Sequence, residues 1–208
     1  MYFVNPLRTW LGASLLPAVI LFTPTMVSGY GERTDMNSPT EETGQKALTV
    51  EMKSTSADQQ DQQEVIGTVR ISQRATGVVI EPALKGLEPG LHGFHIHEGD
   101  SCESGRTEDT DTASPSREPA KEAGEHWDPG FKGNHAGPWE QGHTGDLPNL
   151  YVDPDGKAIT PVYAPRVSSN DFENRALVLH ARRDSYSDEE DSAGGSGDAI
   201  ACGVLDPG

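Results

Sequence analysis

The chain has 208 residues, carries 33 Asp and Glu against 16 Lys and Arg, and has a formal net charge of −17. That acidity excludes a nucleic-acid binder, which needs clustered Lys and Arg against phosphate, and it opposes docking on an anionic membrane surface. With 23 Gly, 15 Pro and 6% aromatic residues, the composition points to a turn-rich all-β protein and away from a helix bundle.

Residues 1–29 read as a secretory signal peptide. Arg8 is the only charged side chain before Glu32, an apolar run extends from Trp10 to Phe22, and Val27-Ser28-Gly29 supplies small residues before Tyr30. The run is shorter than the ~20 residues that cross a bilayer, so cleavage is favoured over an uncleaved anchor. No cysteine lies near the boundary, which rules out a lipid-modified N-terminal cysteine. Residues 30–46 are polar without an apolar period and read as a flexible linker. The folded domain is expected over residues 47–208, in the periplasm or outside the cell, with no stable membrane association once the signal is removed.

Strand signals follow in order at Leu48–Met52, Val65–Ile71, Gly77–Ile80, Gly93–His97, Leu150–Val152, Arg175–Leu179 and Ala199–Cys202. They alternate or are rich in β-branched residues, and Gly, Pro, Asp or Asn punctuates them. Asp153-Pro-Asp-Gly156 is a turn, because Pro presets φ and Gly accepts the positive φ that follows. The stretches Gly99–Pro148 and Asp184–Asp198 lack strand character. Long structureless loops in a compact domain are uncommon and usually functional. Two cysteines, Cys102 and Cys202, suggest one disulfide in an exported protein, the alternative being two separate buried thiols.

Histidines give the long loops a function. His95 and His97 are two apart on a strand, which puts both imidazoles on one face. His126, His135, His143 and Asp146 follow in the Gly/Pro-rich stretch, and His180 ends the apolar run Ala176-Leu-Val-Leu179. Imidazoles with a carboxylate suit zinc or copper, and the lack of spare thiols disfavours an iron–sulfur or cysteine-rich zinc site. A single loop histidine is ordinarily a surface residue, but six at these spacings around one aspartate point to metal.

At these residues the chain resembles the bacterial, exported type of copper–zinc superoxide dismutase. The similarity is carried by Gly90-Leu-His-Gly-Phe-His-Ile-His-Glu-Gly-Asp-Ser-Cys102, His126-Trp-Asp-Pro129, His135-Ala-Gly-Pro138, Gly142-His-Thr-Gly-Asp-Leu-Pro148, Leu179-His-Ala181 and Ala201-Cys-Gly-Val204. It implies an eight-stranded Greek-key β-barrel with long metal-binding and electrostatic loops. It implies copper on His95, His97, His126 and His180, and zinc on His126, His135, His143 and Asp146, with His126 shared as a catalytic bridging ligand. It implies that Asp184 joins a copper-side to a zinc-side histidine, and that Cys102 pairs with Cys202. His92 is assigned no ligand role and reads as structural or exposed. The implied reaction takes superoxide as substrate: one anion gives an electron to copper and leaves as dioxygen, and a second takes it back and leaves as hydrogen peroxide. The implied assembly is a monomer or homodimer.

One departure bears on rate. The family places a guiding arginine three residues before the second disulfide cysteine, where this chain has Ala199, near the acidic run Asp188-Glu-Glu-Asp191. The expectation is a dismutase of reduced turnover whose rate rises with salt, since screening weakens repulsion of the anion. The alternative is an exported copper- and zinc-binding protein without useful turnover. Arg182 and Arg183, just after His180, either replace the missing cation in part or are solvated loop residues.

Overall fold

The computed structural model describes residues 47–55, 63–106, 117–189 and 194–205. The signal expected over 1–29 and the linker over 30–46 lie outside them. The strands are β1 Leu48–Ser54, β2 Val65–Gln73, β3 Val78–Leu84, β4 Gly90–His92, β5 Phe94–Ile96, β6 Gly105–Arg106, β7 Arg117–Glu118, β8 Leu150–Val152, β9 Val162–Ala164, β10 Ala176–His180 and β11 Ala199–Val204. Short 3₁₀ turns at Lys121–Ala123 and Ser169–Phe172 are the helical segments among the described residues. None is long and apolar enough to cross a membrane.

Seven strands form one antiparallel sheet in the order β5-β10-β11-β1-β2-β3-β9. β4 and β5 are two halves of one run broken at Gly93, and β4 pairs with β8. Joining those halves gives eight strands, the Greek-key β-barrel, with the β6–β7 ribbon as an addition in the first long loop. Between its last pair with β9, Ile80–Val162, and the bridge Leu84–Ala158, β3 carries Pro82. A proline is tolerated there because no neighbour on that side needs its missing N–H.

The inner face holds Val50, Met52, Val69, Ile71, Ile80, Phe94, Ile96, Leu177 and Leu179, all buried in one cluster. Each such side chain contributes roughly 1.5–3 kcal/mol on burial. The strand period then decides where the histidines go. In β10, Leu177 pairs with Ile96 and Leu179 with Phe94, all pointing inward, while Val178 pairs with His95. His95 and Val178 therefore share the outer face. That face is not solvated: Ala120, Ala123, Ala176, Val178 and Cys202 form a second apolar cluster beneath the first long loop. β10 is buried on both faces, which is why it reads as a continuous apolar run rather than an alternating one.

Candidate metal centre

The first long loop folds back onto the outer face of β5. His95 forms an isolated bridge with Asp146 and His97 one with His126, so the loop adds extra rungs beside the strand. Gly145 permits this approach; a Cβ there would fall 2.2 Å from the Ile96 carbonyl oxygen. His180 stands at the end of β10, where the pairing with β11 shifts register between Leu179 and His180.

Two ligand sets result. One atom each from His95, His97, His126 and His180 lies within 4.8 Å of the others, and the same holds for His126, His135, His143 and Asp146. His126 belongs to both. The ring orientations follow from hydrogen bonds to acceptors. His97 donates from Nδ1 to the Gly124 carbonyl (2.7 Å), and His180 from Nδ1 to the Gly197 carbonyl (2.7 Å). His95 donates from Nε2 to Asp184 Oδ2 (2.9 Å). Each leaves the other ring nitrogen with a lone pair for a metal. His95 Nδ1, His97 Nε2 and His126 Nε2 are buried with no hydrogen-bond partner. Such orphaned acceptors, clustered and all imidazole, fit copper.

The second set is built on one carboxylate oxygen. Asp146 Oδ1 lies 2.9 Å from His126 Nδ1, 3.1 Å from His135 Nδ1 and 3.3 Å from His143 Nδ1. Its Oδ2 accepts the Ala136 N–H (3.1 Å). Three imidazoles and a carboxylate fit tetrahedral zinc. Asp184 joins the sets, because its Oδ1 accepts from His135 Nε2 (2.8 Å) while its Oδ2 accepts from His95. Its Oδ1 also takes the Tyr186 N–H (2.7 Å). Gly194, with φ +65°, lies so close that a Cβ would overlap the Asp184–His135 contact.

Protonation differs across the centre. Burial, with repulsion from His126 and the other imidazoles, holds His95 and His97 well below the usual histidine range, so both are neutral and ready to ligate. Burial also disfavours a charged His135, but hydrogen bonds to Asp146 and Asp184 outweigh it and raise its pKa to about 9. Burial opposes ionisation of Asp146 as well, yet hydrogen bonds from His126 and His135 push it well below the carboxylate range. In the metal-free protein at pH 7, His135 is therefore a cation between two carboxylates. Zinc held by this set would displace its Nδ1 proton. Apparent zinc affinity should then rise by about tenfold per pH unit from pH 7 to 9 on account of this proton alone, and level off above. Calorimetric titrations in buffers of different ionisation enthalpy will show one released proton vanishing above pH 9; release that is flat with pH would contradict the assignment.

The remaining sequence-derived residues take clear places. Cys102 and Cys202 form a disulfide. His92 is buried, its ring between the carbonyl oxygens of His180 (2.7 Å) and Glu88 (2.8 Å), so it is structural rather than exposed. Ala199 and the exposed Arg182 line the cavity outside the first set, whereas Arg183, also exposed, does not line it. Arg166 carried no motif. Its guanidinium donates to the carbonyls of Pro138 (3.0 Å), Gly142 (2.9 Å) and His143, stapling the zinc loop through backbone oxygens that no sequence pattern marks.

Residues 65–205 match the family model described as copper/zinc superoxide dismutase. A Cu-Zn superoxide dismutase of Escherichia coli strain K12 is 40% identical over 164 residues, covering 78% of this chain and 91% of that protein. The structure of the Cu/Zn superoxide dismutase from Brucella abortus superposes with a TM-score of 0.71 at 36% identity, covering 77% of this chain and all of that one. The solution structure of the monomeric copper, zinc enzyme of Salmonella enterica gives 0.66 at 40% identity, covering 77% and 99%. With two clustered sets of metal-ligating side chains meeting at one histidine and relatives alike over most of their own length, the chain belongs to the copper/zinc superoxide dismutase family.

Proposed function

We infer that this chain dismutates superoxide: two superoxide anions and two protons become one dioxygen and one hydrogen peroxide. The observation that carries the reading is the sharing of His126 between a buried all-imidazole set and an imidazole–carboxylate set that is buried except for the half-buried His143. Bound copper would supply the one-electron redox step, on His95, His97, His126 and His180. Zinc, with a filled d shell, would hold the loop through His126, His135, His143 and Asp146. The protein's own part is orientation and proton handling. The Gly124 and Gly197 carbonyls and Asp184 fix three rings. His126 offers Nε2 to one set and Nδ1 to the other, and an unligated Nε2 there is placed to hold a proton for the reduced oxygen product. Asp184 joins the two sets by accepting from His95 on one side and His135 on the other, fixing the tautomer of each.

The signal-like residues 1–29 and the Cys102–Cys202 bridge support placement in the periplasm or outside the cell, where disulfides persist. Superoxide consumption by protein loaded with both metals, compared with metal-free protein and with the same copper in chelating buffer, tests the activity. The loaded protein should be fastest by orders of magnitude. Equal rates would leave a metal-binding domain without turnover, the reading that Ala199 favours.

A further inference from the structure

We propose that Arg182 is the group that receives an anion at the copper mouth, a role the side chain of Ala199 cannot fill. The proposal rests on the dismutase reading above. The copper set opens into a cavity of about 450 Å³ whose wall includes His97, His126 and His180. Two cations, Lys121 and Arg182, and three carboxylates, Glu118, Glu125 and Asp198, also line it. Lys121 Nζ lies 2.9 Å from Glu118, so its charge is already answered. Arg182 has no carboxylate partner among the described residues; its Nε donates to the Gly195 carbonyl oxygen (3.1 Å).

That bond sets the guanidinium over Gly197. A Cβ at Gly197, whose φ is +73°, would stand 3.1 Å from Arg182 Nε and 3.3 Å from Cζ and Nη2. The Gly197 carbonyl is also the acceptor that orients His180 (2.7 Å). One glycine thus separates the guanidinium from a copper ligand, and a side chain there would be strained by the positive φ and would push the guanidinium outward by a few tenths of an ångström. The root of the side chain is anchored, because the Arg182 N–H donates to Ser196 and its carbonyl accepts from Gly93, both at 2.8 Å. With Nε engaged, the Nη1 and Nη2 donors remain for a small anion, which a planar guanidinium binds through paired donors. Around the cation stand Glu125 and Asp198, which repel anions. Arg182 is therefore the uncompensated positive charge of the mouth among the described residues, contributed by the chain just after β10 rather than by β11.

Azide, an anion that binds copper without being turned over, is the probe. Titrating the copper- and zinc-loaded protein with azide and following its visible absorption should show a loss of about tenfold in affinity for Arg182→Gln, with a similar fall in the superoxide rate at low salt. Arg182→Lys should recover part of it, and Ala199→Arg added to Arg182→Gln should restore it. Arg183→Gln should leave azide affinity unchanged, and the copper resonance spectrum and metal content should match the parent in every variant. An Arg182→Gln protein that binds azide as the parent does would overturn the proposal. So would an equal loss in Arg183→Gln, which would mean diffuse surface charge. The two readings fail separately. A protein that shows the azide loss but no dismutation keeps the anion site and loses the activity, whereas one that dismutates without the azide loss loses only Arg182.

Discussion

Replacing Asp146 by Asn is expected to strip zinc from the protein while leaving copper in place. The carboxylate oxygen Oδ1 faces three ring nitrogens at 2.9, 3.1 and 3.3 Å, and the group is buried. An amide keeps the shape but removes the anionic charge that a divalent cation and three imidazoles share. Outer partners of metal ligands cost ~10–100-fold in affinity when removed, so loss of a direct ligand should cost at least the upper figure, about 2.7 kcal/mol. Copper should stay because His95, His97 and His180 are oriented by Asp184, Gly124 and Gly197 rather than by Asp146, and His126, whose Nδ1 faces Asp146, is also tied by its bridge to His97. The loop should keep its course, since Arg166 grips it through three backbone carbonyls. Competition titration with a chelator measures both metals in one sample. Unchanged zinc affinity would move zinc away from Asp146, and equal loss of both metals would mean that the sets are not separable as drawn.

The residues that cluster in the two sets were legible because strand period and residue chemistry act locally. His95 and His97 share a face by the two-residue repeat alone, and His180 follows an apolar run that had to be a strand. The extents of most strands follow the apolar pattern for the same reason. β9 escaped because its three residues, Val162-Tyr-Ala164, lie between Pro161 and Pro165 and take their place only by pairing with β3. β4 escaped because Gly90-Leu-His92 pairs with β8, nearly sixty positions on, and that register is a tertiary fact. The polar groups that finish the site were less visible still. Arg166 binds backbone carbonyls, and carbonyls carry no sequence signal. Arg182 could be named as a cation near His180, but its placement over Gly197 depends on how the segment 194–198 lies against the end of β10, which adjacency in sequence does not reveal.

Opening the disulfide should be the largest single loss of stability. Cys102 and Cys202 are 100 positions apart and their Cα atoms 5.7 Å apart. On the chain-entropy model, closing such a loop stabilises by up to ~4.7 kcal/mol. For a chain of this size 1 kcal/mol moves Tm by roughly 2–4 °C, so the metal-free protein should melt about 10–20 °C lower after reduction or in a Cys102→Ser/Cys202→Ser variant. Calorimetry with and without reductant measures it, and an unchanged Tm would show that the loop is secured by packing alone. The effect should also reach copper. Cys202 lies in the outer apolar cluster with Ala120, Ala123 and Val178, and Cys102 packs against it. From there the Gly99 N–H donates to Ala123 (2.8 Å) and the Gly99 carbonyl accepts from Ala176 (2.7 Å), so the tethered segment holds the 3₁₀ turn against β10. Gly124, next in the chain, supplies the carbonyl that fixes the ring of His97. Reduction loosens that carbonyl, and a His97 ring free to turn presents Nε2 to copper only part of the time. Copper affinity of the reduced protein should therefore fall more than zinc affinity, because His135, His143 and Asp146 take their support from Asp184 and Arg166 on the other side of the centre.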